Sequence, residues 1–268
     1  MNYTVLSLFP EIIDAFFALS ILGKAVNRGI VAYRSVNIRD FAVDKHRTCD
    51  DAPYGGGPGM LMTAEPLGRA LESVGVRVKG AEQTLNKNYR VIYLSPSGRT
   101  FTQETAKELA QEQELILLCG RYEGIDQRII DVYIDDEISI GDYILSSGET
   151  AALAVIDATY RLVETVITPD SLEEESFSGG LLEYPQYTRP EMYGMLRVPE
   201  ILLSGHHENI RQWRLRKRVE KTLAQRPDLI RRGRAMGLFD RETHIIIEEL
   251  EGITAGSGIH DSKEKEYE

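Results

Sequence analysis

The chain has 268 residues, of which 42% are apolar and 27% are charged, and its formal net charge is −11. This composition is typical of a folded globular protein and excludes an intrinsically disordered chain. No apolar run approaches the length of a membrane span and the first residues lack a secretory signal pattern, so we expect a cytoplasmic protein. The two cysteines, Cys49 and Cys119, are too few for a disulfide framework or a thiolate metal site.

Short β-branched runs alternate with helical patterns over the first 165 residues. Strands are predicted at 2–8, 31–38, 90–94, 115–119 and 137–140. Helices are predicted at 10–17, 64–74, 102–112, 125–133 and 148–165. The stretch 50–60 holds four glycines and two prolines and is predicted to be a long loop. Such alternation predicts an α/β fold with a mainly parallel sheet and helices on both of its sides.

The pattern changes after residue 167. An acidic stretch with serine and glycine at 168–185 is predicted to be a flexible linker between domains. Residues 186–254 are predicted to form a small helical domain, with its clearest helix at 208–223, and the polar residues 255–268 a disordered tail. The first domain is therefore expected at 1–167.

Charge is distributed unevenly in the second half. Ten basic and two acidic residues lie between Arg211 and Arg234, whereas three basic and nine acidic residues follow Ala235. The net negative charge disfavours a nucleic-acid partner, but the basic cluster favours one. A solvated helix face and an RNA-binding surface both remain open at this point.

Three loops follow predicted strands, at 94–99, 119–124 and 139–149. Ligands of open parallel sheets bind beyond the carboxyl ends of the strands. Each loop combines glycines with a few polar or aromatic side chains, and none matches a phosphate-binding or dinucleotide-binding motif. One such loop is typical of an ordinary tight turn, whereas three in one domain favour a ligand cavity.

Five motifs, taken together, resemble one known family. They lie at 54–60, 119–126, 139–143, 187–190 and 204–207. The set, spread over residues 1 to about 250, resembles the bacterial tRNA (guanine-N1)-methyltransferases, SPOUT-like enzymes with a deep trefoil knot. The resemblance implies transfer of a methyl group from S-adenosylmethionine to N1 of the guanine that follows the anticodon.

The resemblance also implies which residues bind the methyl donor. In the family the donor lies in the knot, which is formed by three loops at the positions of the three described above. The implied donor-binding residues are Tyr93, Leu94, Ser95, Pro96, Gly120, Glu123, Ile140, Gly141, Asp142, Tyr143, Ile144 and Leu145.

Methylation of N1 requires removal of its proton and stabilisation of the charge that develops on O6. The family uses a linker carboxylate for the first role and an arginine at the end of the long helix for the second. By resemblance these are Glu175 and Arg161. The family pattern has Asp before Ser and Phe, whereas Glu175 precedes Ser176 and Phe177 here. Glutamate is one methylene longer, and Asp170 in the same linker remains the competing candidate base.

The resemblance further implies a homodimer whose sites are completed by the partner chain, tRNA as the substrate, and magnesium as a helper ion. The loop 54–60 is implied to approach the target base. His206 and His207 lack the spacing of metal ligands, so an RNA-facing or dimer-facing role is expected for them. Two alternatives stay open: a non-catalytic RNA-binding module, and a knotted methyltransferase acting on ribosomal RNA or another tRNA position.

Overall fold

The computed structural model describes residues 1–81, 87–167 and 175–257. The chain divides into two compact units, Met1–Ile167 and Thr168–Glu268. Within the described part of the chain, no helix has both the length and the apolar character needed to cross a membrane.

The first unit is built around a five-stranded parallel sheet with the strand order β2-β1-β6-β5-β7. Its strands are β1 (Asn2–Ser7), β2 (Ala32–Asn37), β5 (Tyr89–Thr100), β6 (Glu114–Cys119) and β7 (Asp136–Ser139). Two-residue strands β3 (Asp50–Asp51) and β4 (Leu61–Met62) form a separate antiparallel pair. The predicted α/β class and parallel sheet are confirmed. The knot implied by the resemblance stays a prediction.

In the described part of this unit there are six α-helices: α1 (Pro10–Phe17), α2 (Ser20–Asn27), α3 (Ala64–Ser73), α4 (Gln103–Leu109), α5 (Gln127–Tyr133) and α6 (Gly148–Tyr160). Helix α2 was not predicted, because it is short and contains Gly23, a poor helix former. A Cβ atom at Gly23 would lie 2.7 Å from the carbonyl oxygen of Ala18, so the close approach of α2 to the end of α1 requires glycine.

Helix α6 ends five residues before the predicted end at 165. The amide of Leu162 donates to the carbonyl of Thr159, and that of Val163 to Tyr160, which tightens the chain into turns of the 3₁₀ type. Arg161 therefore caps the helix rather than lying within it.

Side chains of the sheet alternate between two apolar layers. In β6, Leu115 and Leu117 pack on the layer formed with α1, α2 and α6, while Ile116 and Leu118 pack on the layer formed with α3 and α5. All four are fully buried. A parallel sheet covered on both faces explains why this strand reads as a continuous apolar run rather than an alternating one.

The second unit is mainly helical, as predicted. A short hairpin of β8 (Met192–Tyr193) and β9 (Leu196–Arg197) precedes α7 (Glu200–Leu203), α8 (His207–Gln225), α9 (Pro227–Ala235) and α10 (Arg241–Ser257). Its buried core contains Leu181, Val219, Ile230, Phe239 and Ile247. Helix α10 runs to Ser257, so the first three residues of the predicted tail are helical, and residues 258–268 lie outside the described residues.

Part of the predicted flexible linker is packed against α8. The amide of Leu182 donates to Oγ1 of Thr222 over 2.9 Å, and the Arg218 guanidinium donates to the carbonyls of Ser178 and Leu182. Leu181 is also buried, with 3% of its surface exposed. The chain composition did not reveal this packing, since the partners lie about 40 residues further along the chain.

Candidate active site

A cavity of about 440 Å³ lies at the carboxyl ends of β5, β6 and β7 in the first unit. All three loops selected from the sequence line it. Eleven of the twelve residues assigned to donor binding are among the lining residues; Asp142 is not. The eleven are Tyr93, Leu94, Ser95, Pro96, Gly120, Glu123, Ile140, Gly141, Tyr143, Ile144 and Leu145.

Backbone contact between the second loop and the start of α6 forms one part of the cavity. The amide of Gly148 donates to the carbonyl of Gly120 over 2.8 Å, and Arg121 pairs with Ser147 as an isolated antiparallel bridge. A Cβ atom at Gly148 would lie 2.7 Å from the nitrogen of Gly120. Only glycine lets the two segments approach this closely.

The third loop turns sharply at Gly141, whose φ of +148° is unfavourable for other residues. A Cβ atom there would lie 2.5 Å from Cε1 of Tyr143. The ring of Tyr143 is fixed over the turn, because its hydroxyl donates to the carbonyl of Ile140 over 3.2 Å. Ile144 follows with 81% of its surface exposed, so this loop presents apolar surface at the edge of the cavity.

The first loop is a bulge in β5. Leu94 and Arg99 both pair with Ile138 of β7, so residues 95–98 stand out of the sheet. Oγ of Ser95 and Oγ of Ser97 lie 2.7 Å apart and fix the bulge internally. A prediction of strand 90–94 followed by a loop therefore missed the return of the chain to the sheet.

A charge cluster holds the base of this bulge. Arg90 forms ion pairs with Asp136 and Glu108, and Arg99 lies 3.4 Å from the other oxygen of Asp136. The Arg90 guanidinium, by hydrogen bonding, lowers the pKa of the Glu108 carboxyl below its ordinary value. Within β5, Arg90 precedes the bulge and Arg99 follows it. The cluster therefore fixes both ends of the bulge relative to β7.

Three charged residues line the cavity: Glu123, Glu137 and Arg121. The Arg121 guanidinium lies 4.5 Å from the centroid of the Phe9 ring, a cation–π contact. Burial, with the nearby charge of Glu137, raises the pKa of Tyr93 to about 12, so this hydroxyl is neutral at ordinary pH. The two carboxylates favour a ligand that carries positive charge.

The glycine-rich loop 54–60 is attached to the second cavity loop. The pair β3–β4 closes its base, which the prediction of an irregular loop at 50–60 missed. The amide of Glu123 donates to the carbonyl of Met60, and the amide of Met62 donates to the carbonyl of Gly124, both over 3.0 Å. The tip is open to solvent, since Tyr54 is fully exposed.

Sequence reasoning missed Glu149, a carboxylate that is 1% exposed and lies in the first turn of α6 beside the cavity. Its Oε1 accepts a hydrogen bond from Oγ of Ser7 over 2.6 Å, while Oε2 has no hydrogen-bond partner among the described residues. Together with burial, its charge raises the pKa of the Cys119 thiol well above the ordinary value. An acidic residue within the otherwise apolar start of a long helix was the available clue.

The two proposed catalytic residues lie in different units. Arg161 is in the first unit, immediately after α6, and does not line the cavity. Glu175 is in the second unit and is partly buried; its carbonyl accepts a hydrogen bond from the amide of Ser178. The competing base, Asp170, and the neighbouring Glu173 and Glu174 lie outside the described residues.

Acidic side chains of α10 compensate much of the basic cluster. Arg211 pairs with Glu242 over 2.8 Å, Arg216 with Glu249 over 3.0 Å, and Arg234 of α9 with Glu251 over 2.7 Å. In the described part of the chain, Lys221 and Arg231 form no ion pair. The basic cluster is therefore less available to an anionic partner than the sequence suggested.

Aromatic side chains of the second unit contact neighbouring rings or an arginine. Its described histidines are not arranged to hold a metal ion. The Trp213 and Tyr187 rings lie 6.5 Å apart, and the Arg214 guanidinium lies 4.7 Å from the Tyr184 ring. Within residues 1–81, 87–167 and 175–257, no group of three or more His, Cys, Asp and Glu side chains is placed to hold a metal ion. Magnesium binding stays a prediction.

Comparison with known proteins agrees with the motifs. The family model described as tRNA (Guanine-1)-methyltransferase TrmD matches residues 1–232. A tRNA (guanine-N(1)-)-methyltransferase of Treponema denticola is 59% identical over 94% of this chain and 99% of its own length. Enzymes of the same name from Treponema pallidum and Borreliella burgdorferi are 55% and 57% identical, over 94% and 85% of this chain and 96% and 92% of their own lengths. The chain therefore belongs to the tRNA (guanine-1)-methyltransferase family.

Proposed function

We propose that this chain is a cytoplasmic enzyme that transfers a methyl group from S-adenosylmethionine to N1 of the guanine that follows the anticodon of tRNA. The main support for the proposal is the cavity at the ends of β5, β6 and β7. Three separate glycine-containing loops line this cavity, and the chain belongs to a methyltransferase family. A module that only bound RNA would not require such a cavity.

The cavity fits the donor in size and chemistry. Its volume of about 440 Å³ lies within the usual range for small-molecule sites. Gly120 and Gly148 line the cavity, Ile140 and Leu145 supply apolar surface for an adenine ring, and Glu123 supplies a carboxylate for a cationic group. When bound, S-adenosylmethionine would supply the methyl group from its positively charged sulfonium.

The protein must remove the N1 proton of guanine and stabilise the charge that moves to O6. Family membership supports Glu175 as the base that accepts the proton. It likewise supports Arg161 as the cation that stabilises O6, a role that a permanently charged guanidinium suits. Asp170 remains the alternative base.

Helix geometry supports a homodimer with composite sites. Helix α6 starts at the cavity and has 13 residues. An α-helix of this length is about 20 Å long, so Arg161 lies far along α6 from the cavity of its own chain. An arginine side chain is too short to span that separation, so a second copy of the chain is proposed to supply Arg161 to each cavity. The helical unit is proposed to bind the tRNA.

Subunit mixing tests the composite site. Arg161→Ala removes the proposed cation, and Gly120→Leu obstructs the cavity of the same chain, because its side chain overlaps the Tyr93 ring that lines the cavity. If Arg161 acts in the partner's site, mixing the two inactive variants restores about a quarter of wild-type activity, since half of randomly formed dimers contain one intact site. If the mixture stays inactive although mixed dimers form, Arg161 acts within its own chain.

Locating the modified nucleoside tests the proposed reaction. An unmodified tRNA transcript is incubated with the purified protein and S-adenosylmethionine, digested, and analysed by mass spectrometry. We expect 1-methylguanosine beside the anticodon. Methylation elsewhere, or of ribosomal RNA only, would support the related knotted enzymes, and failure of the protein to bind S-adenosylmethionine in calorimetry would support the non-catalytic RNA-binding module.

Single-turnover methylation identifies the base. We expect Glu175→Gln to slow the chemical step by about 10² or more, the usual contribution of general base catalysis. Asp170→Asn serves as the matched comparison, because it replaces one linker carboxylate by an amide of nearly the same size. Loss of the chemical step in Asp170→Asn alone would transfer the role to Asp170.

A further inference from the structure

Gly59 lies directly against the side chain of Glu123. A Cβ atom built on Gly59 would lie 2.5 Å from both Cγ and Oε1 of Glu123, and the φ of Gly59 is +87°. Heavy atoms that are not bonded do not approach so closely without one of them moving. The carboxylate of Glu123 therefore occupies the space that a side chain at position 59 would fill.

Backbone hydrogen bonds fix the segments on either side of this contact. Besides the two bonds that link Met60 and Met62 to the second loop, the amide of Asp126 donates to the carbonyl of Met62 over 3.0 Å. Tyr122 and Gly124 both have positive φ values, which place Glu123 in a tight turn. With the backbone held in this way, the direction of the Glu123 carboxylate depends on its own side-chain torsions and on the space beside Gly59.

The Glu123 carboxylate also lines the cavity, and among the described residues no basic side chain forms an ion pair with it. An unpaired carboxylate in a concave site suits the ammonium or sulfonium of a cationic ligand. Its direction therefore affects affinity for such a ligand.

We propose that Gly59 is a positioning residue for Glu123: the missing side chain allows the carboxylate to lie against the glycine-rich loop and face the cavity. The proposal rests on the proposed function, in which this cavity binds a cationic methyl donor. It couples two parts of the site, because any movement of the loop 54–60 at Gly59 changes the orientation of a donor-binding group.

Replacing Gly59 by alanine is the direct test, with S-adenosylmethionine binding measured by calorimetry. Gly75→Ala is the matched control: its φ of +91° imposes similar backbone strain, and no atom lies within 4 Å of the added Cβ. We expect Gly59→Ala to weaken donor binding about tenfold and Gly75→Ala to change it less than about twofold, since only the first displaces a charged group. Equal effects of the two substitutions would overturn the proposal.

A double-variant cycle tests whether the effect passes through Glu123. Glu123→Ala alone is expected to weaken donor binding about as much as Gly59→Ala, and adding Gly59→Ala to it should cost less than about a further twofold. Full additivity would contradict the proposal. If Gly59→Ala alone does not fold, folding of the double variant supports the overlap with Glu123, and failure of both to fold argues against it.

The outcomes separate the two proposals. Absence of S-adenosylmethionine binding by the wild-type protein would defeat the proposed function. Normal wild-type binding with indistinguishable Gly59→Ala and Gly75→Ala variants would defeat only the role of Gly59.

Discussion

The cavity of the first unit and the basic cluster of the second differ in how directly sequence motifs translate into a site. In the cavity, Gly141 adopts a φ of +148° and Gly148 lies directly against the backbone of Gly120, so both act through the absence of a side chain. In the basic cluster, Arg211 and Arg216 are engaged by acids of α10 more than 30 residues away in sequence. A glycine motif can therefore be recognised in the sequence, whereas the availability of a charge depends on which acids the fold brings near it.

The two units also differ energetically. Beside the cavity, Gly148, Glu149 and Ser7 are buried and close-packed, so an added atom or a lost hydrogen bond there is costly. The ion pairs of α8 and α10 are largely exposed to solvent, where each contributes little to stability. Substitutions in the two units should consequently differ in size and in the property they change.

The largest expected effect is that of Gly148→Ala. The added Cβ would lie 2.7 Å from the backbone of Gly120 and 2.9 Å from that of Cys119. These backbone atoms cannot move aside as the end of a flexible side chain can. We expect the free energy of unfolding to fall by about 3 kcal/mol and donor binding to be lost, as measured by urea denaturation and calorimetry. Gly252→Ala, on α10 with no atom within 4 Å of the added Cβ, should instead be neutral or stabilise by up to about 1 kcal/mol. A similar loss in both variants would contradict the distinction.

The next largest effect is expected for Ser7→Ala, which removes the hydrogen-bond donor to the buried Glu149 carboxylate. The oxygen Oγ of Ser7 also accepts a hydrogen bond from the amide of Phe9, so a second, partly buried group loses its partner. Stability should fall by about 2–3 kcal/mol in urea denaturation. The exposed hydrogen bond from Ser35 to Asp14 provides the control, because Ser35→Ala should cost less than about 1 kcal/mol. Equal losses would mean that burial of Glu149 is unimportant.

A smaller, pH-dependent effect is expected from Tyr93. Its pKa in the folded protein is about 12, above the ordinary value of 10.0. The folded state thus holds this proton more tightly, and the associated stability is complete below pH 10 and declines as the pH rises towards 12. The full loss, roughly 2–3 kcal/mol, is reached only near pH 12.

Unfolding by urea as a function of pH measures this contribution. Above pH 10, the free energy of unfolding of the Tyr93→Phe variant should fall less with rising pH than that of the wild-type protein. Part of the decline in stability should remain in this variant, because burial also raises the pKa values of Tyr3 and Tyr133. An unchanged slope in Tyr93→Phe would show that this hydroxyl does not titrate abnormally.

The smallest effect on stability is expected in the second unit. Glu249→Gln should change the free energy of unfolding by less than about 1 kcal/mol, because its ion pair with Arg216 is exposed. It removes one of the two carboxylates that pair with Arg216, the other being Glu220, so tRNA binding at low salt should strengthen about two- to threefold and depend more steeply on salt concentration. Glu11→Gln, on α1, makes the same change in net charge without affecting an arginine. Equal gains in both variants would indicate a general charge effect.

Much of the first unit was predictable because its determinants are local. Apolar runs located the five strands of the sheet, and glycine-containing loops after three of them located the cavity. The family motifs led to eleven of the lining residues. Helix α2 and the return of β5 to the sheet at Arg99 were not predicted, since Gly23 and residues 95–98 obtain their conformations from contacts with other segments.

Taken alone, the sequence determined most helices and strands of the first unit, the parallel character of its sheet and the loops that carry the cavity, because backbone propensity and apolar periodicity act over a few residues. Only the tertiary structure decided which charges are paired, that Glu149 is buried against Ser7, and that part of the linker packs on α8. Each of these depends on distances between residues remote in sequence, and chain folding alone sets those distances.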